Sequence, residues 1–128
     1  MHTLFIEWRH LVEADRTCNR CETTGHSLHR VIAQLNRECR ESGWEILLKE
    51  TALTKDSIDE SNSILIDGLP LENILPGARK GDTHCRSCSE LIGLPTRCRS
   101  IESTGEHYEA IPESLIRSAV CKVAACCC

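Results

Sequence analysis

The stretch TCNRCETTGHSLHR, residues 17–30, carries two cysteines three positions apart and then two histidines with the same spacing. The segment Thr3–Leu11 precedes it, is rich in β-forming residues and partly alternates, so it is predicted as the first strand. Apolar residues at spacings of three and four follow it, with Thr24 as a plausible N-cap and Gly43 as the stop signal of a helix. They are Leu28, Val31, Ile32, Leu35 and Cys39. The cysteine pair therefore lies between a predicted strand and a predicted helix.

Later segments extend this order into a mixed sheet. Trp44–Leu53 is predicted as the second strand, SILIDG at 63–68 as the third strand with its turn, and 70–75 as a short helix. A hairpin is predicted about residues 104–105, followed by a terminal helix from Pro112. Its buried residues are predicted to be Leu115, Ile116, Ala119, Val120 and Val123. A strand–helix–strand start predicts a parallel pair, so the fold class is α/β, a mixed sheet flanked by helices, in one domain spanning 1–128.

Length and composition limit the role of the ten cysteines. A chain of 128 residues buries an adequate core without disulfides. Glu7, Arg9 and His10 interrupt the first apolar run, so no signal peptide is expected, and no apolar stretch approaches the roughly 20 residues that span a bilayer. The expected location is therefore cytoplasmic, where cysteines serve in metal binding or redox chemistry. A net charge of −4 without a basic stripe predicts neither a nucleic-acid nor a membrane partner.

A cysteine-rich loop is predicted over residues 76–98, and a cysteine tail over 124–128. Thiolates favour soft ions, so zinc, copper, mercury and arsenic species are the candidate ligands. The candidate metal-binding residues are Cys85, Cys88, Cys98, Cys126, Cys127 and Cys128. A disulfide between Cys85 and Cys88, simple thiols, or a frayed terminus without function remain open alternatives.

His26 and His29 could extend the first cysteine pair to four metal ligands. Their arrangement, C-x2-C-x4-H-x2-H, is not a common zinc signature, and histidines three apart on a charged helix face are usually solvated. We therefore expect these two histidines to be exposed. Cys39 lies on the apolar stripe of the helix and is expected to act as a small buried hydrophobe.

Four stretches, IEWRHL, TCNRC, ESNSILIDGLPLENIL and YEAIPESLI, resemble a thioredoxin-like bacterial and archaeal family that is labelled a domain of unknown function. The resemblance implies a thioredoxin fold in which Cys18 attacks and Cys21 resolves, with Arg20 as an auxiliary charge. The chain differs from thioredoxins at two points. Asn62 replaces the cis-proline that faces the dithiol, and a helix that begins near Thr24 would leave Cys18 outside the helix N-terminus.

Two functions follow as hypotheses, and a thiol-bearing adaptor with neither activity is a third possibility. The first is thiol–disulfide exchange by Cys18 and Cys21, with Cys85 and Cys88 able to receive the equivalents, that is, the disulfide formed between Cys18 and Cys21. Its partner would be a redox protein, and the chain would be a thiol–disulfide oxidoreductase. The alternative is a protein whose thiolates bind a thiophilic metal or metalloid, because ten cysteines exceed what one exchange reaction uses.

Overall fold

The computed structural model describes residues 2–13, 16–84, 86–93 and 97–124, without the side chains of residues 59, 82–84, 86–88 and 98. Within these ranges the chain forms a four-stranded and a three-stranded sheet with four α-helices and a 3-10 helix at Lys55–Glu60. The four-stranded sheet has the order β2-β1-β3-β4. Its strands are β1 (His2–Leu11), β2 (Trp44–Leu53), β3 (Ser63–Ile66) and β4 (Leu69–Pro70).

The mixed sheet flanked by helices confirms the predicted fold class and is compatible with a thioredoxin-like fold. β1 and β2 run parallel, in register from His2 opposite Trp44 to Leu11 opposite Leu53, and β3 runs antiparallel to β1. Helix α1 (Asn19–Cys39) joins the two parallel strands. The short helix predicted after the third strand is α2 (Leu71–Ile74), with Pro70 as its N-cap.

Helix α1 begins at Asn19, earlier than the predicted start near Thr24. Cys18 takes the N-cap position with extended backbone angles, and its carbonyl oxygen accepts the first intrahelical hydrogen bond from the Glu22 N–H at 2.9 Å. No strong helix breaker stands before Gly25, and Glu22 favours the positive end of the helix. The expectation that Cys18 lies outside the helix N-terminus was therefore wrong.

The main core lies between one face of the four-stranded sheet and helices α1 and α4 (Glu113–Ala124). Leu4, Ile6 and Trp8 point into this core, whereas Phe5 between them is 55% exposed. This alternation is that of a strand with one buried face. The predicted apolar stripe of α1 is confirmed as a buried face, and that of α4 is buried or half-buried along its length. No helix in the described part of the chain has the length and apolar character needed to cross a membrane.

Cys39 and Cys121 each form a disulfide, which the sequence analysis did not predict for either residue. Both are buried, Cys39 at the end of α1 and Cys121 within α4, and each is disulfide-bonded. The apolar stripe correctly predicted the burial of Cys39. It could not predict the disulfide, because helical periodicity carries no information on which sulfur another element brings near.

The predicted loop over residues 76–98 instead contains regular structure. It includes β5 (Ala78–His84) and helix α3 (Arg86–Ile92), and ends in β6 (Arg97–Ser103). The residues of β5 do not alternate between apolar and polar, so the sequence pattern did not predict a strand there. Pairing with β6 provides hydrogen-bond partners for the backbone N–H and C=O groups of β5. The hairpin about residues 104–105 is confirmed, because both take positive φ between β6 and β7 (Glu106–Tyr108).

Candidate active site

Cys18 and Cys21 lie at the positive end of the 21-residue helix α1. Both are reduced and both are buried, Cys18 with 3% of its surface exposed and Cys21 with none. Cys18 is the N-cap and Cys21 lies in the first turn, on the side that faces the core. A helix N-terminus stabilises a thiolate, so the sequence position of this pair coincides with a site suited to thiolate chemistry.

Ser61 is the polar contact of the second cysteine. Its Oγ lies 3.4 Å from the Cys21 sulfur and accepts a hydrogen bond from the Leu11 N–H at 3.1 Å. Because that bond uses a lone pair of the hydroxyl, its proton is available for donation to the Cys21 sulfur. Ser61 is fully buried, which strengthens such a bond. Sequence reasoning missed Ser61, although it directly precedes the position compared with a cis-proline.

Asn62, at the position where thioredoxins have a cis-proline, holds its loop in place by hydrogen bonds. The peptide bonds of the described residues are all trans, and Asn62 takes φ +67, a left-handed conformation that asparagine tolerates. Its N–H donates to the Arg9 carbonyl oxygen at 2.8 Å. Its side chain accepts from the Trp8 indole N–H at 3.3 Å and donates to Thr24 Oγ1 at 2.9 Å. The loop beside the cysteine pair is thus held by hydrogen bonds.

Thr24 joins this loop to helix α1 and to the segment before α4. Its hydroxyl oxygen accepts hydrogen bonds from Asn62 and from the Ile111 N–H at 3.1 Å. The neighbouring Gly25 lets the Trp8 ring approach, since a Cβ at Gly25 would lie 2.5 Å from Trp8 Cη2. Thr24 therefore acts inside the helix as a connector, and not as the predicted N-cap.

His10 lies on the inner face of β1 and is 8% exposed. Its ring stacks on Trp8 at 3.8 Å, and its Nδ1 lies 3.2 Å from Thr17 Oγ1. Since the Thr17 hydroxyl donates to the Leu11 carbonyl oxygen, it accepts from His10 Nδ1–H. Burial lowers the pKa of His10, against the opposing effect of Glu50. A neutral His10 thus orients the residue that precedes the first cysteine.

Arg20, between the two cysteines, is buried against the second sheet. Its Nη1 donates to the Arg99 carbonyl oxygen at 3.3 Å, and its Nη2 pairs with Glu109 at 3.4 Å. These contacts link the start of α1 to β6 and to the segment after β7. Stabilisation of the Cys18 thiolate by Arg20 stays a prediction.

A cavity of about 200 Å³ borders Cys18. Residues from the start of α1 form one wall, and residues from α3 form the other. Its lining residues are Arg16, Thr17, Cys18, Asn19, Glu90 and Leu91. The first cysteine therefore faces a space that can admit a small group, while the second lies beneath it in the core.

The other predicted site residues fall into two groups. His26 and His29 are exposed, as expected, and the described residues include no cluster of three or more potential metal ligands. Cys85 and the tail, Cys126–Cys128, lie outside the described residues. The side chains of Cys88 and Cys98 lie outside them too, so the metal hypothesis for this group stays a prediction.

Comparison with known proteins places the chain in a family. An uncharacterized protein of Archaeoglobus fulgidus is 29% identical over 117 residues, which cover 88% of this chain and 82% of the relative. No solved structure matches the chain. Residues 4–120, which include both cysteines of the candidate site, match a family described as a domain of unknown function, DUF2703. The chain therefore belongs to the DUF2703 family.

Proposed function

We propose that this protein carries out thiol–disulfide exchange, with Cys18 as the attacking thiolate and Cys21 as the resolving thiol, on a thioredoxin-like fold. The observation that carries the proposal is the asymmetry of the pair. Cys18 caps a long helix and borders a cavity, whereas Cys21 is fully buried one turn below. An attacking cysteine beside a cavity, with a protected resolving cysteine beneath it, is an arrangement suited to two-step exchange.

In the first step the Cys18 thiolate attacks one sulfur of a substrate disulfide, and a mixed disulfide forms as the other substrate sulfur leaves as a thiolate. The orphan N–H groups at the start of α1 favour the negative charge on Cys18 before the attack. At 3% exposure, the Cys18 sulfur is reached through its cavity, so the substrate disulfide must enter that space.

In the second step the Cys21 sulfur attacks the Cys18 sulfur of the mixed disulfide. A Cys18–Cys21 disulfide forms, and the second substrate thiolate leaves and takes up a proton. The Ser61 hydroxyl, 3.4 Å from Cys21, stabilises the buried thiolate that makes this attack. The protein ends two electrons more oxidised, and an external dithiol of a redox partner protein returns it to the reduced state.

The helix that carries Cys88 supports a relay to the second cysteine pair. Glu90 and Leu91, on the same helix α3, line the cavity beside Cys18. In this extension of the proposal, Cys85 and Cys88 receive the disulfide from Cys18 and Cys21.

Trapping of the mixed disulfide tests the exchange. Bis(2-hydroxyethyl) disulfide, a small uncharged substrate, is added to the reduced wild type and to the Cys21→Ser and Cys18→Ser variants, and adducts are mapped by peptide mass spectrometry. The Cys21→Ser protein should retain one mercaptoethanol adduct at Cys18, because the resolving thiol is missing. The double variant Cys18→Ser/Cys21→Ser measures the background of the remaining cysteines.

Turnover with an external dithiol gives the decisive comparison. The Cys18→Ser protein should lose reduction of the disulfide to the level of the double variant. Reduction by Cys18→Ser as fast as by the wild type would overturn the proposal. Native mass spectrometry of protein purified without chelator covers the alternative: a stoichiometric metal whose presence prevents the Cys18 adduct would favour soft-metal binding instead.

A further inference from the structure

The outer face of the four-stranded sheet, which is turned away from α1 and α4, carries exposed apolar side chains. Phe5, the single phenylalanine of the chain, is 55% exposed on β1, and Leu47 is 40% exposed on β2. The two residues are partners in the parallel register, so their side chains lie side by side. Parallel strands usually have both faces covered, so an apolar patch on such a pair indicates an interaction surface.

Half-buried residues of the next two strands extend this patch across the sheet. Leu65 of β3 pairs with Pro70 of β4, and both are half-buried. Leu65 also pairs with Glu7 of β1, which puts it diagonally beside Phe5 on the same face. Together with Leu47, the patch crosses all four strands, over about 14 Å at about 4.8 Å per strand.

The free edge of β2 offers less room for a partner than the face does. β2 is the outermost strand of this sheet in the described part of the chain. The Asn36 side chain of α1 takes both backbone groups of Ile46: its oxygen accepts from the Ile46 N–H at 2.8 Å, and its nitrogen donates to the Ile46 carbonyl oxygen at 3.0 Å. A strand added at this edge would have to displace Asn36, so we place the partner on the face.

Two opposite charges stand on either side of Leu47 on this outer face. Glu45 and Lys49 are exposed and lie two residues before and after Leu47, each about 6.6 Å away along the strand. Within the described ranges neither of them forms a side-chain ion pair, and the neighbouring Glu7 is already held by Arg9 at 3.2 Å. Both charges are therefore available to a partner.

We propose that this face binds a second copy of the chain, with the two sheets packed face to face about a two-fold axis. The axis lies between the sheets, at right angles to the strands and at the level of Leu47. It brings Glu45 of each copy opposite Lys49 of the other, and Phe5 and Leu47 onto their own symmetry mates. Every contact of such an interface occurs twice, so the dimer gains two ion pairs around an apolar centre. An axis parallel to the strands would place like charges at the same level, which disfavours that packing.

The spacing of packed sheets fits these side chains. Sheets that pack face to face lie about 10 Å apart, which a glutamate and a lysine can bridge from opposite sides. One row of apolar residues is smaller than the roughly 800 Å² per partner of a standard interface, so the dimer is weak, with a Kd of roughly 100 µM. The interface lies on the face opposite α1, which carries the candidate active site, so this inference is separate from the exchange function.

Sedimentation velocity of the full chain tests the association. Between about 10 µM and about 1 mM, the average mass should rise from that of one chain, 14.3 kDa, towards twice that value. Phe5→Thr and Leu47→Thr remove apolar surface but keep a good strand former, and each should weaken the association about fivefold or more. Leu69→Thr is the matched control and should associate like the wild type. Leu69 is 54% exposed, but its strand partner Ile66 points into the core, so Leu69 lies on the other side of the sheet.

Reversal of the two charges tests the symmetry of the dimer. Glu45→Lys or Lys49→Glu alone places like charges opposite each other twice. Each should weaken the association about threefold or more, although the two changes shift the net charge in opposite directions. The double variant Glu45→Lys/Lys49→Glu restores both ion pairs and should associate like the wild type.

Three results would overturn the inference. The first is an average mass that stays at one chain up to about 1 mM, which would leave the face to a different protein. The second is equal weakening by Leu69→Thr and Leu47→Thr, or no recovery in the double charge variant. The third is a dimer whose mass survives denaturing mass spectrometry without reductant, because a disulfide then holds the two chains together.

Discussion

Asn62→Pro places a proline where the resemblance to thioredoxins expects one, and it should severely destabilise this protein. Asn62 has φ +67, whereas the proline ring holds φ near −65°. The Asn62 N–H also donates to the Arg9 carbonyl oxygen, and proline has no N–H to replace it. The chain has adapted this loop to asparagine, so the more thioredoxin-like residue is the worse one.

A series of substitutions separates the contributions. Asn62→Gly keeps the left-handed backbone but loses the hydrogen bonds to Trp8 and Thr24, which costs about 2 kcal/mol at about 1 kcal/mol each. Asn62→Ala adds about 1 kcal/mol for a Cβ in the left-handed region. Asn62→Pro also loses the backbone hydrogen bond to Arg9 and requires a φ that proline cannot adopt. The total loss in free energy of unfolding should therefore exceed about 4 kcal/mol, which is a large share of the stability of a typical domain.

Urea denaturation followed by tryptophan fluorescence measures these free energies of unfolding. Asn36 is the matched control, because its side chain also makes two hydrogen bonds, with the N–H and carbonyl of Ile46 at 2.8 and 3.0 Å, but from within a helix. The Asn36→Gly variant should be about 1 kcal/mol less stable than the Asn36→Ala variant. At position 62 the glycine variant should instead be the more stable of the two. Alanine as stable as glycine at 62, or a wild-type midpoint for Asn62→Pro, would refute the reasoning.

Three further perturbations act elsewhere in the core and on the sheet. Gly25→Ala should lower stability, since its Cβ would lie 2.5 Å from the Trp8 ring and overpacking costs about 1–3 kcal/mol against about 1 kcal/mol of helix propensity; thermal unfolding should show that adding Trp8→Phe recovers part of the loss. Burial lowers the pKa of His10, so the stabilisation from the neutral ring is present above the usual pKa of 6.5 and is lost as the pH falls below that value. The urea midpoint of His10→Gln should therefore change less than that of the wild type between about pH 7.5 and about pH 5.5. The Thr51 hydroxyl holds the pKa of Glu7 below its usual 4.5, so the stabilisation from this hydrogen bond is present above pH 4.5 and is lost as the pH falls below that value. Thr51→Val should therefore lose less stability in acid than the wild type. An acid profile identical to that of the wild type would contradict this expectation.

Several elements could be predicted because their signals are local. The bounds of β2 match the prediction at both ends, and β1 differs from it by one residue. The stripe from Leu28 to Cys39 correctly identified the buried face of α1. These predictions succeed because burial on one face of a strand or helix imposes its own period on the sequence.

Other features depend on contacts between distant residues. The role of Thr24 depends on such contacts, since Thr24 bonds to Asn62 and Ile111 from inside α1 and does not cap the helix. β5 exists because β6 pairs with it, and its own residues show no strand period.

By itself, the sequence determined the order of the elements from β1 to β3, the terminal hairpin and helix, the buried faces of α1 and α4, and the position of a cysteine pair between β1 and α1. Only the tertiary structure decided that Cys18 caps the helix beside a cavity, that Ser61 contacts Cys21, and that Glu90 approaches from α3. The physical reason is the range of the interactions. Sequence periodicity indicates whether a side chain is buried, but not which distant residue contacts it. The chemistry of this site depends on those long-range contacts.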